Sequence, residues 1–254
     1  MKIKVMTFNL RTDVVKDGIN YFPNRVGRIL ETIRQEVPDL IGFQEAREMA
    51  RKALRESLSE DYVVLGCGRK ERYSDEGCVI AFRKDAFELI NYETRLLSTH
   101  PTVPASRFEG TDQSVCPRMY LHAELQPIGE ENPIHFFDTH LDHRGETAKV
   151  LGMSQILQHI SACEGEFVLV GDMNSYPDSQ AIALALAFPG MKEATESLEC
   201  TFHDFGKRPD AGKIDYIFTN ATPTTCYRVE DEGIDGVYIT DHYVICADIE
   251  FGNT

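Results

Sequence analysis

The chain has 254 residues, 42% of them hydrophobic, and carries 41 acidic against 26 basic side chains for a formal net charge of −15. This size suits one catalytic domain with one large core, while the charge argues against a protein that grips extended duplex DNA through its phosphates. No linker rich in Pro, Gly or Ser divides it, and no apolar run approaches the length of a bilayer span, so a soluble, cytoplasmic, monomeric protein that does not engage membranes is expected.

In chain order, residues 2–9 and 39–44 read as strands. Between them Val26, Ile29, Leu30, Ile33 and Val37 recur at helical spacing, which predicts a helix capped by Asn24 and ended before Pro38. A second helix is predicted at about 46–58, followed by strands near 61–66, 77–83 and 87–97, a Pro-containing loop to about 117, and strands near 119–126 and 133–140. Val150, Met153, Ile156, Leu157 and Ile160 mark a further helix, and Phe167 to Val170 a buried strand. A helix at about 178–188 and strands near 214–219, 224–230 and 243–250 complete the pattern. The alternation predicts an α/β fold of two packed sheets flanked by helices. Seven cysteines, at 67, 78, 116, 163, 200, 226 and 246, lie far apart without a CxxC pair, which implies reduced thiols and neither a disulfide framework nor a zinc site.

Four short polar clusters stand at the ends of apolar runs: Asn9 in MTFNLR, Glu45 in IGFQEA, Asp172 and Asn174 in VGDMNS, and Asp241 with His242 in ITDHYV. Carboxylates gathered at strand ends repel one another unless a cation or proton lies between them, so the set points to a hard metal ion with oxygen ligands and to metal-assisted phosphoester hydrolysis. Asp172 and Asn174 straddle Met173 after a buried run, so in extended backbone both point to the same side. A local basic patch at Arg69, Lys70 and Arg72 runs against the overall charge.

With Thr139-His140-Leu141 and Ile214-Asp215-Tyr216 in the intervals, the order of these motifs resembles the endonuclease/exonuclease/phosphatase superfamily from Asn9 to His242. DTHLDH and CTFHDF look most like its bacterial branch near the deadenylase-like enzymes. The resemblance implies a four-layer α/β/β/α, DNase I-like fold and a hydrolase using Mg2+ or Mn2+. It makes Glu45 the principal metal ligand, assisted by Asn9 and Asp241. It gives Asp172 the attacking water and Asn174 a hydrogen bond to nucleophile or phosphate. His242 contacts the scissile phosphate with Asp215 as partner, His140 stands near the leaving-group oxygens, and Arg118 reaches the phosphate. Asp142, His143 and His203 are candidates for the substrate pocket.

His140 takes the place where abasic-site endonucleases of the superfamily carry Tyr, which argues against DNA repair. The substrate expected is therefore a small phosphorylated molecule or a short single-stranded nucleic acid, cleaved by direct attack of water. A 3′-exoribonuclease of deadenylase type is the alternative. A non-catalytic phospholigand-binding module is the reading from a different class, disfavoured by the complete set of catalytic residue types.

Overall fold

The apolar runs that end in the polar clusters become strands in the computed structural model, which describes residues 1–252. The first half contributes β1 (Lys2–Asn9), α1 (Phe22–Glu36), β2 (Leu40–Gln44), α2 (Glu48–Ser57), β3 (Tyr62–Gly66), β4 (Val79–Arg83) and β5 (Phe87–Leu96). Then come β6 (Met119–Pro127), β7 (Ile134–His140), α3 (Glu146–Ile160), β8 (Glu166–Asp172) and α4 (Gln180–Leu186). The last elements are β9 (Lys192–Glu193), β10 (Asp215–Thr219), β11 (Thr222–Val229) and β12 (Val244–Glu250). They form two six-stranded sheets, ordered β11-β12-β1-β2-β4-β3 and β5-β6-β7-β8-β10-β9. Leu40, Phe82, Leu121, Phe136, Val170 and Ile245 pack between the sheets. One apolar cluster joins the first sheet to α1 and α2, and another joins the second to α3 and α4, giving the four layers of a DNase I-like fold. Among the described residues no helix is long and apolar enough to cross a membrane.

Two details differ from the sequence reading. Asn24 lies inside α1, because Pro23 opens the first turn, and its side chain instead donates to the Ile19 carbonyl at 3.0 Å. The short edge strand β9 carries no alternation long enough to be read from sequence. Val37 ends α1 in the left-handed region at φ 47°, one residue before Pro38, where a helix stop was expected.

Two parallel pairs orient the fold. β1 pairs with β2 across α1, ending in the partners Asn9 and Gln44, and β7 pairs with β8 across α3, ending in His140 and Asp172. The antiparallel neighbours β10 and β12 begin at the same end, with Asp215 opposite Asp172 and Ile245 opposite Thr7. The polar clusters therefore meet at the carboxyl ends of the parallel strands, where open α/β sheets place their ligands.

The sheets are pinned together just below that end. Gln44 donates to Asp138 across the interface at 2.6 Å, and burial, only partly offset by that bond, holds Asp138 well above the usual carboxylate range. Beside this bridge Gly42 lets the sheets approach: a Cβ there would sit 2.3 Å from Val170 Cγ2 and 2.7 Å from Asp138 Oδ1. Gly42→Ala should destabilise the protein by about 1–3 kcal/mol, the usual cost of overpacking. Urea unfolding checks this, and a variant as stable as wild type would show that the sheets can separate to admit a methyl group.

Candidate active site

A cleft of about 910 Å³ opens at the shared strand ends. Its floor holds the acidic groups. Asn9 donates through Nδ2 to Asp172 Oδ2 at 2.9 Å and Glu45 Oε1 at 3.3 Å, while its own Oδ1 accepts from the Arg11 amide at 2.9 Å. The Arg11 N–H requires an acceptor, so it fixes the side-chain oxygen on that side and turns the amide nitrogen towards the two carboxylates. Glu45 sits in the left-handed region at φ 59°, and the Thr12 amide donates to its Oε2 at 2.8 Å. Glu45, His140 and Asp172 each offer a ligand atom within 4.8 Å of the others, as do Asp172, Asp215 and His242.

Asp172 Oδ1 accepts from the Asn174 amide at 2.8 Å, and the Asn174 side chain donates to the Leu141 carbonyl at 3.1 Å. Asn174 also takes the left-handed conformation, at φ 47°, so the chain turns sharply after Met173. Burial, reinforced by the Asp215 charge, raises the Asp172 pKa. His140 Nε2 lies 3.4 Å from Asp172 Oδ2 and His242 Nε2 lies 3.9 Å from it.

His242 faces Asp215 through Nδ1 at 2.9 Å. Burial disfavours charge on this ring, but Asp215, Asp172 and Asp241 outweigh it and raise its pKa to about 10, which favours the imidazolium form. His140 is the opposite case: burial and the guanidinium groups of Arg118 and Arg69 push it well below the usual imidazole range. The two histidines on one cleft are thus pushed in opposite directions, His242 towards the cationic form and His140 towards the neutral one.

Arg118, 5% exposed, contacts His143 Nδ1 through Nη2 at 3.0 Å, but its Nε and Nη1 are buried without hydrogen-bond partners among the described residues. Its nearest carboxylate, Asp142, is 3.9 Å away. Buried guanidinium donors left open on a cleft wall are a ready receptor for a phosphate or carboxylate. Arg69 also lines the cleft, held by Glu76 at 2.8 Å.

His143 and Asp241 line the cleft, and Arg11 Nη1 reaches Asp241 Oδ2 at 3.6 Å. Asp142 and His203 stand behind the wall. Asp142 accepts from the amides of Ser114, Arg144 and Gly145 at the entry to α3; burial would raise its pKa, but these bonds win and lower it. His203 is 1% exposed, bonded to the His242 carbonyl at 3.1 Å and packed on Tyr243. Both support residues of the cleft wall without lining it.

Sequence reading passed over Arg11, whose place in MTFNLR was its only signal, and Thr201 in CTFHDF. The Thr201 hydroxyl donates to Asp215 Oδ2 at 2.7 Å and accepts the amides of Ile214 and Asp215, locking the carboxylate that faces His242. Thr201→Val should cut turnover by about 10–100-fold, the worth of a hydrogen bond to a charged group, while leaving KM nearly unchanged. Steady-state kinetics checks it. An unaltered kcat would show that Asp215 holds its place without the hydroxyl.

Residues 6–242, nearly the whole span of these groups, match the sequence profile of the Endonuclease/Exonuclease/phosphatase family. The chain belongs to that family. Among solved structures, the endonuclease/exonuclease/phosphatase from Bacteroides vulgatus superposes with a TM-score of 0.91 at 27% identity, over 99% of this chain and 100% of that one. The mannosyl-6-phosphatase Bt3783 of Bacteroides thetaiotaomicron gives 0.87 at 21%, over 98% and 100%. ANGEL2, a 2′,3′-cyclic phosphatase solved with adenosine-2′,3′-vanadate, gives 0.76 at 17%, over 99% and 96%. At these identities the last two likenesses concern the fold. No curated protein matches the chain. As a member of the endonuclease/exonuclease/phosphatase family the chain is a phosphoesterase, and its donor-rich cleft is arranged for such a substrate.

Proposed function

We propose that this protein hydrolyses a small phosphorylated molecule, using Mg2+ or Mn2+ and direct attack of water without a covalent enzyme intermediate. One observation carries the reading: carboxylates, an imidazolium and two unpartnered guanidinium donors of Arg118 converge on a single cleft. The donor set suits a hard cation. Glu45 would hold it with support from Asp241, while Asn9, its oxygen taken by the Arg11 amide, draws the carboxylates Glu45 and Asp172 together through its NH2 group, and the ion relieves their mutual repulsion. When bound, the ion polarises the phosphoryl oxygens and lowers the pKa of water.

The chain's own groups divide the rest. Asp172, oriented by Asn9 and the Asn174 amide, aligns the water and takes its proton. His242, held by Asp215, meets the phosphoryl oxygens as charge builds on them, and Asn174 steadies the turn that presents Asp172. Arg118 meets a non-transferred oxygen with its guanidinium on the cleft wall, His143 fixing the group through Nη2. His140, neutral and 3.4 Å from Asp172, is placed to hydrogen-bond the leaving oxygen.

A short single strand or a cyclic nucleotide is the second reading, favoured by Phe202 and the half-exposed Tyr176 on the cleft, which offer faces for a base. The mannosyl-6-phosphatase and 2′,3′-cyclic phosphatase names of the fold's neighbours match the two readings in turn. Seven free cysteines fit a reducing, cytoplasmic setting, and a monomer suffices because the cleft is built within one chain.

Extended duplex DNA should be a poor substrate. The net charge of −15 opposes it, and the Arg69 and Lys70 patch is neutralised by Asp75 and Glu76. Comparing kcat/KM at moderate ionic strength on sugar phosphates, 2′,3′-cyclic nucleotides, short poly(A), plain duplex and abasic duplex tests both the proposal and this corollary. Preference for either duplex, or inactivity on every phosphoester with metal supplied, would overturn the proposal.

A further inference from the structure

A second polar cluster lies away from the cleft, beneath α3 on the outer face of the second sheet. Glu93 of β5 and His122 of β6 are register partners on adjacent strands, and His159 of α3 closes over them. Glu93 Oε1 is 3.0 Å from His159 Nε2 and 3.5 Å from His122 Nδ1, and the three ligand atoms all lie within 4.8 Å of one another. On β6 the alternate residues Met119, Leu121 and Ala123 point into the space between the sheets, so His122 points the other way. His140, which pairs with Met119, belongs to the inner face, about 10 Å along the strand from the His122 row. The cluster is therefore separate from the catalytic groups.

The proton positions follow from the hydrogen bonds. His135 Nε2 lies 3.0 Å from the Glu164 carbonyl, which can only accept, so Nε2 carries the proton and the Nδ1 of a neutral His135 is an acceptor. That Nδ1 lies 3.0 Å from His122 Nε2, which must then carry a proton too. A neutral His122 is left with a bare lone pair on Nδ1, directed at a carboxylate oxygen. This atom is fully buried, has no hydrogen-bond partner among the described residues, and belongs to a residue only 3% exposed. A proton on His159 Nε2 satisfies the Glu93–His159 contact and leaves His122 facing the carboxylate unrelieved. A cation between all three relieves both contacts at once.

We propose that Glu93, His122 and His159 form a binding site for a borderline divalent transition-metal ion, Zn2+ foremost, that clamps α3 to the β5–β6 hairpin. Zinc bonds of about 2.0–2.2 Å in tetrahedral geometry put neighbouring ligand atoms about 3.3 Å apart, between the two separations seen here. The outer partners are those a metal-bound imidazole or carboxylate uses. His122 leans on His135 and the Glu164 carbonyl, Tyr120 Oη lies 3.1 Å from His159 Nδ1, and Arg95 donates to Glu93 Oε2 at 2.6 Å. Phe137 stacks on His122 at 4.4 Å and fixes the ring plane. Glu93 and His159 keep 27% and 17% of their side chains exposed, which leaves a path in and room for a water as fourth ligand. The ligands lie on two strands and a helix at 93, 122 and 159, so no short sequence motif announces them.

The test uses the full chain, stripped of metal and supplied with excess Mg2+ to fill the catalytic cleft, then titrated with Zn2+ by calorimetry and with Co2+ by its visible absorption. The expected result is one Zn2+ per chain, the intense Co2+ bands of a four-coordinate site, and a rise in Tm. Glu93→Gln and His159→Gln, at partly exposed positions, should each weaken Zn2+ at least tenfold and abolish the Tm shift with Mg2+-supported activity kept. Glu45→Gln should bind Zn2+ as wild type does. Failure of the wild-type chain to bind Zn2+ overturns the proposal, as does binding unchanged in both Gln variants or lost only in Glu45→Gln.

Discussion

Asp172→Asn should lower turnover by about 10²–10⁴-fold, the range expected when a general base is removed, with the domain still folded. Asparagine can still accept the Asn174 amide that now bonds Oδ1 at 2.8 Å, so the local turn survives and the loss falls on proton transfer. His242→Ala should cost a similar factor by removing the imidazolium that Asp215 holds at 2.9 Å. The two losses should not add, because groups acting on one transition state fail together. Single-turnover kinetics on the best substrate checks this, with circular dichroism as the control for folding. Near wild-type turnover in a folded Asp172→Asn protein would remove Asp172 from the chemical step.

The second large effect concerns metal. Glu45→Gln should raise the Mg2+ or Mn2+ concentration for half-maximal activity by about 100-fold or more, because a neutral amide replaces the carboxylate that neutralises the ion. The fold should tolerate it, since glutamine Oε1 can still accept the Thr12 amide bonded at 2.8 Å. EDTA in excess should abolish wild-type activity, and metal should restore it. Full activity in EDTA, with metal verified absent, would remove the cation from the mechanism altogether. Calcium, with longer and looser bonds, should bind and support turnover poorly.

The layers of the fold were legible because their signals are local. Apolar runs such as FVLV of β8 and the helical spacing in α1 and α3 reflect burial on one face or both, and a chain cannot hide that periodicity. The cleft was legible in outline for a different reason: its acids sit at strand ends, where a short word such as GDMN or QEA fixes both position and chemistry. What the words could not carry was direction. Asp142 and His203 read as pocket residues, yet one caps the entry to α3 and the other packs behind His242, because backbone amides and aromatic neighbours claimed them. Asn9 stands where a ligand was expected, and a single amide from Arg11 decides which end of its side chain meets the carboxylates. Thr201 escaped notice because it acts through Asp215, 14 residues further on.

The pairing of β1 with β12 has a consequence for how such a protein comes into being. Lys2 to Thr7 lie between β2, formed within the next few dozen residues, and β12, whose Ile245 to Glu250 are made more than two hundred residues later. Asn9 and His242 stand at the two ends of that interval. A ribosome-bound chain that has not yet released β12 lacks the contact of His242 with Asp215 and has an open edge on its first strand. Such a chain is exposed along β1 to edge pairing and aggregation until the late strand arrives.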